Sequence, residues 1–179
     1  MTKKLMLAVA ALLFSMLFSN VSAQDNAKSR KIPSVDLKGL DGGKVNTSTF
    51  SNNGKPMVIS FWATWCKPCI EELNAISENY IDWQKETGVK VIAISIDDAK
   101  TSARVGTFVN GKGWTYEIYG DPNGDFKRAM NVNNPPHAFL INGNGEIVWQ
   151  HVGFAEGNEK ELYEMIKAVA AGKPLPESK

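Results

Sequence analysis

Phe61-Trp62-Ala63-Thr64-Trp65-Cys66-Lys67-Pro68-Cys69 stands where one hydrophobic pattern gives way to another. Before it, Met57 to Phe61 is an apolar run interrupted only by Ser60, the pattern of a central strand buried on both faces. After it, Ile70, Leu73, Ile76, Tyr80 and Trp83 recur every three or four positions. That is the apolar stripe of a helix, which runs to about Thr87 and stops at Gly88. Cys66 therefore falls at a helix N-terminus, and Cys69 lies one turn inside. A thiolate at such an end faces unpaired N–H groups and the positive pole of the helix dipole, and both favour the charged form. Lys67 adds a nearby positive charge, and Pro68 suits a first turn, where its missing N–H costs nothing. The pattern assigns Cys66 as the attacking thiol and Cys69 as the buried thiol that resolves a mixed disulfide.

The chain has no cysteine beyond these two. A structural staple and a metal site are the competing readings. A bridge across Cys-x-x-Cys closes a very short loop and removes little unfolded-chain entropy, so it stabilises poorly and switches well. Two ligands alone also fall short of the four that structural zinc takes. Redox exchange is the reading that uses the spacing.

Working outward, Val35-Asp36-Leu37 and Lys44-Val45 flank Asp41-Gly42-Gly43, a short hairpin. Val89 to Ile96 is a second buried strand, and a helix follows over Ala99 to about Val109. Tyr116 to Tyr119 reads as extended, and Asp125 to Met130 as a short helix. Ala138–Ile141 and Glu146–Val152 are strands joined by Asn142-Gly143-Asn144-Gly145. Asn158, with Glu161 three residues on, caps a last helix with the stripe Leu162, Met165, Ile166 and Val169, which Gly172 and Pro174 end. Strands and helices in this order predict an α/β fold, a central mixed sheet with helices on both faces and an N-terminal β-hairpin extension.

At the N-terminus, Lys3 and Lys4 precede an apolar run from Leu5 to Phe18, and Val21-Ser22-Ala23 supplies the small residues of a cleavage site. Residues 1–23 read as a signal peptide, with an uncleaved anchor as the alternative. Residues 24–33 form a flexible polar leader, 34–174 one domain, and 175–179 a polar tail. The location expected is periplasmic or otherwise extracytoplasmic, soluble after cleavage. Without Lys3 and Lys4, 18 basic residues face 19 acidic ones and form no basic stripe, so nothing in the charge favours nucleic acid.

The motif resembles the active site of thioredoxin-like proteins. More narrowly it resembles the exported TlpA/ResA-like thiol–disulfide reductases, some of which serve cytochrome c maturation. The resemblance runs over roughly residues 33–172 and includes Pro136, Phe139-Leu140-Ile141 and Gly145-Glu146-Ile147-Val148. It implies a thioredoxin-like fold in which Pro136 follows Pro135 through a cis bond and lies against the Cys66–Cys69 pair. It also implies that Glu72, three residues after Cys69, influences the buried thiol and moves its proton. Trp62 is expected beneath the site. Trp65, Pro135, Pro136 and His137 are expected at the rim that receives a partner, and His151 as a packing or surface residue. His137 stands where relatives more often have Thr; its imidazole is expected beside Cys66, against a partner, or in solvent.

Two positions depart from the pattern. Ser60 replaces the buried aspartate of thioredoxin, which removes one proton route and leaves more to Glu72 or a water. Asn74 replaces a helix proline. The resemblance implies a monomeric dithiol reductase of protein disulfides, recharged by a membrane thiol–disulfide carrier, with no organic cofactor and no metal. A thiol peroxidase and a metal- or haem-handling assembly protein are the alternatives for the same cysteines.

Overall fold

The computed structural model describes residues Arg30–Glu177. The segment read as a signal peptide lies outside them. Among the described residues, no helix is long and apolar enough to cross a membrane.

Seven strands form one sheet: β1 (Asp36–Gly39), β2 (Lys44–Asn46), β3 (Met57–Trp62), β4 (Lys90–Ser95), β5 (Glu117–Gly120), β6 (His137–Ile141) and β7 (Ile147–Val152). Their order is β2-β1-β5-β4-β3-β6-β7. The centre, β3 with β4 and β4 with β5, is parallel, whereas β6, β7, β1 and β2 pair antiparallel. The sheet is therefore mixed, as predicted. The predicted hairpin is its far edge, because β1 pairs with β5.

Among the described residues four α-helices cover it: α1 (Lys67–Thr87), α2 (Val105–Lys112), α3 (Asp125–Ala129) and α4 (Asn158–Ala170). All six residues of β3 are buried, and alternation splits them between two cores. Val58 and Trp62 join Leu73, Ile76 and Ile166 under α1 and α4. Met57, Ile59 and Phe61 join Phe126, Met130 and Phe139 on the α3 side.

Three details correct the sequence reading. The helix predicted from Ala99 starts later, because the Asp98 carboxylate accepts from the N–H groups of Lys100 and Thr101 and holds a turn. A short 3-10 turn (Ser102–Arg104) leads into α2. Asn158 is the first residue of α4 and does not cap it; its Oδ1 accepts from the Ala155 N–H at 2.7 Å, and Gly157, at φ 98°, is the cap. Residues 30–33, read as the end of the leader, are tied to the fold. Arg30 accepts from the Ile147 N–H, donates to the Met130 carbonyl and lies over the Phe139 ring.

Candidate functional site

The carboxyl end of β3 runs through a tight turn into α1. The Cys66 N–H donates to the Ala63 carbonyl at 3.1 Å, and Cys66 then caps α1 in extended conformation with no side-chain hydrogen bond to the helix. Pro68 sits in the first turn. Cys66 and Cys69 form a disulfide with Cα atoms 5.3 Å apart. Cys66 is 6% exposed and Cys69 fully buried. The outer cysteine is thus the one at the helix end. Lys67 points to solvent and pairs with Glu71 at 3.7 Å, an exposed contact of little energetic weight.

One turn beyond Cys69, Glu72 is buried. Burial lifts its carboxyl from 4.5 to about 7, against a lowering hydrogen bond from Ser60. That bond, Ser60 Oγ to Glu72 Oε2 at 2.6 Å, exists because strand alternation turns Ser60 toward α1. Ser60 is thus coupled to the acid on which its substitution was expected to throw the proton chemistry. A cleft of about 10 Å³, room for roughly one water, reaches Glu72 between Trp149, His151 and Leu162. A carboxyl so placed holds or releases a proton close to neutral pH.

The aromatic residues divide as expected. Trp62 is fully buried and packs edge-on to Trp114 at 5.1 Å. Trp65 is 58% exposed. Asn74 accepts from Trp114 Nε1 at 3.1 Å, so it fastens this aromatic group to α1. His151 is half-buried with its ring parallel to Trp149.

The Pro135–Pro136 peptide is cis. Phe61 pairs with His137 in the sheet, which sets Pro136 beside the end of β3, where the motif begins. Pro136 is buried, Pro135 half-buried. His137 is found neither in solvent nor on the cysteine face. Its ring turns to the α3 side, stacks on Phe139 at 4.2 Å and leaves Nε2 without a hydrogen-bond partner. Burial holds its pKa below the usual histidine value.

One group escaped the sequence reading. Asp97, just past β4, is 1% exposed and accepts from Thr64 N–H at 2.8 Å, Thr64 Oγ at 2.6 Å and Ser95 Oγ at 2.9 Å. Its signal was a Ser-Ile-Asp ending to an apolar strand, at the carboxyl edge of a parallel sheet where ligands and reactive groups gather.

Known proteins resemble this chain over most of its length. Residues 29–150 match the model of the AhpC/TSA family. Thiol-disulfide oxidoreductase ResA of Bacillus cereus is 30% identical over 162 residues, covering 90% of this chain and 88% of that protein. The solution structure of a thioredoxin-like protein from Porphyromonas gingivalis is 50% identical, with a TM-score of 0.70 over 78% of this chain and 92% of that one. The crystal structure of a putative thiol:disulfide interchange protein DsbE from Chlorobium tepidum is 28% identical, with a TM-score of 0.69 over 79% and 96%. The chain belongs to the thioredoxin-like AhpC/TSA family and is a thiol–disulfide oxidoreductase that works by dithiol–disulfide exchange.

Proposed function

We propose that the protein is an exported reductase of protein disulfides in which Cys66 attacks and Cys69 resolves. The observation that carries this reading is the asymmetry of the pair. Cys66 caps α1, and Cys69 is fully buried one turn in, followed by a buried Glu72. The Cys66 thiolate, favoured by the helix end, attacks one sulfur of a substrate disulfide. The first substrate thiolate leaves, and a mixed disulfide remains. Glu72 in its ionised form draws the proton from Cys69, whose thiolate attacks the Cys66 sulfur. The second substrate thiolate is expelled and the Cys66–Cys69 disulfide forms. Two electrons pass to the substrate, and a membrane thiol–disulfide carrier supplies two in return to reset the dithiol.

Trp65 and Pro135 form the rim on which the partner polypeptide rests, with the buried Pro136 behind it. His137 supports that rim from beneath through its stack on Phe139. Export is supported by the charged, apolar and small-residue layout of residues 1–23. Cytochrome c apoprotein is among the substrates this reading allows.

Alkylation of the reduced protein across about pH 6–9, followed by peptide mass analysis, is expected to label Cys66 first. A Cys69→Ala variant is expected to accumulate mixed disulfides with its substrates in cells, and a Cys66→Ala variant to lose turnover. Faster labelling of Cys69 overturns the assignment.

A further inference from the structure

The turn that delivers Cys66 has Thr64 and Trp65 at its centre, because the Cys66 N–H closes it on the Ala63 carbonyl. Neither central side chain is buried: Thr64 is half-exposed and Trp65 58% exposed. Apolar packing therefore does little to hold the turn, and its shape depends on hydrogen bonds. These converge on one carboxylate. Asp97 takes the Thr64 N–H on Oδ2 and the Thr64 hydroxyl on Oδ1, a two-point grip on a single residue.

The grip is itself anchored. Ser95 Oγ donates to Asp97 Oδ2, and the neighbouring Ile96 N–H donates to the Trp62 carbonyl at 2.8 Å. On the outer side Arg104 Nε donates to Thr64 Oγ at 3.1 Å, so the hydroxyl gives to Asp97 and accepts from Arg104 at once. Burial alone would raise the Asp97 pKa, but the hydrogen bonds from Thr64 and Ser95 oppose it, and the carboxyl is held below the usual aspartate value. The clamp is a fixed anion throughout the neutral range.

We infer that Asp97 is a positioning residue for the exchange reaction: by gripping Thr64 it fixes the turn that holds Cys66 at the N-terminus of α1 and Trp65 at the rim. A thiolate profits from the free N–H groups of a first helical turn only while its sulfur stays over them, and the residues just before the cap decide that. Asp97 touches neither sulfur nor substrate in this role. It acts through Thr64 alone.

The inference rests on the reading of Cys66 as the attacking thiol. The test compares Asp97→Ala, Asp97→Asn, Thr64→Val and Thr64→Ser in the full domain. Each is measured well below its melting temperature for kcat/KM on a protein disulfide, for the pH profile of alkylation in the reduced state, and for the peptide labelled. Asp97→Ala and Thr64→Val are expected to lower kcat/KM about tenfold, the scale of one charge-assisted hydrogen bond. They are also expected to move the midpoint of Cys66 alkylation to higher pH. Thr64→Ser should recover most of the Thr64→Val loss. Asp97→Asn should fall between, since the amide keeps an acceptor for the Thr64 N–H and a donor for its hydroxyl. A merely structural role lowers the melting temperatures and leaves the alkylation profile and kcat/KM where they were, and that result overturns the inference. Equal damage in Asp97→Asn and Asp97→Ala with none in Thr64→Val also overturns it, because charge and not the clamp would then matter. If Asp97→Ala fails to fold, the Thr64→Val and Thr64→Ser pair decides alone. Labelling of Cys69 ahead of Cys66 sinks the reading beneath; labelling of Cys66 with unchanged variants sinks only the positioning role.

Discussion

Replacing Glu72 by Gln should change how the stability of the oxidised protein depends on pH. Burial raises the Glu72 carboxyl from 4.5 to about 7, with Ser60 opposing. Below pH 4.5 the folded and unfolded chains both hold this proton. Between 4.5 and about 7 the unfolded chain has released it while the folded chain retains it, so stability from this group falls as pH rises. Above about 7 both are ionised and the loss is complete. At about 1.4 kcal/mol per tenfold change in proton affinity, the full loss is about 3 kcal/mol. Gln has no proton to lose. Its carbonyl can still accept from Ser60, and its NH₂ adds a penalty of about 1–2 kcal/mol that does not vary with pH. Urea unfolding with the disulfide intact, at about pH 4 and about pH 8.5, isolates the pH-dependent part. The stability of Glu72→Gln relative to the parent should rise by about 3 kcal/mol between the two conditions. A difference that stays flat would mean that the buried carboxyl ionises as freely as an exposed one, and the proton role argued for it would lose its basis.

Asn74→Ala should cost about 1–2 kcal/mol in urea unfolding, since it strands the buried Trp114 N–H. Its alkylation profile should match the parent, and a shifted profile would show that Asn74 does more than fasten Trp114. His137→Phe removes a buried imidazole whose pKa is lowered by burial. The stability the neutral imidazole contributes is present above its unfolded value of 6.5 and lost as pH falls through the folded one, so the variant should gain on the parent in acid. Equal urea midpoint differences at acid and neutral pH would refute this. Trp65→Ala should leave unfolding stability within about 0.5 kcal/mol, because the side chain is 58% exposed, and raise KM for a protein disulfide about tenfold. An unchanged KM would remove Trp65 from the rim.

The elements that place the cysteines were legible because each repeats a local pattern. The stripe from Ile70 to Trp83 marks α1, and Leu73, Ile76, Tyr80 and Trp83 are all buried. The run Met57 to Trp62 has no polar break except Ser60, and every residue in it is buried. What was not legible joins residues far apart in the chain. Ser60 meets Glu72 and Thr64 meets Asp97 only because β3 lies beside β4 and under α1, and the pattern of neither partner announces the other. The missed helix starts have a different cause. Asp98 and Asn158 both have side chains that compete for nearby backbone N–H groups. At Asp98 this delays the helix, and at Asn158 the acceptor turns back to Ala155. The face that His137 takes was not legible because the residue begins β6, and strand alternation sets it on the side of Phe139.

Two buried carboxylates bracket the cysteines, and their environments drive them in opposite directions. Glu72 and Asp97 are 5% and 1% exposed, so burial penalises the ionised form of both. The difference lies in the number of donors. Glu72 has the Ser60 hydroxyl, too little to offset burial, and its carboxyl rises to about 7. Asp97 has a backbone N–H and two hydroxyls, and its pKa falls. In the proposed mechanism, dithiol exchange uses both outcomes. In that mechanism resolution uses a group one helical turn from the inner thiol that gains and loses a proton near neutral pH, and a carboxylic acid does so only when it is poorly satisfied. Holding the outer thiol at a helix end needs an anion that does not change as the pair cycles, and only a well-satisfied acid stays ionised there. In the reading proposed here, Ser60 tunes the first and Thr64 recruits the second. Both lie within the stretch from Met57 to Cys69 that gives the chain its fold.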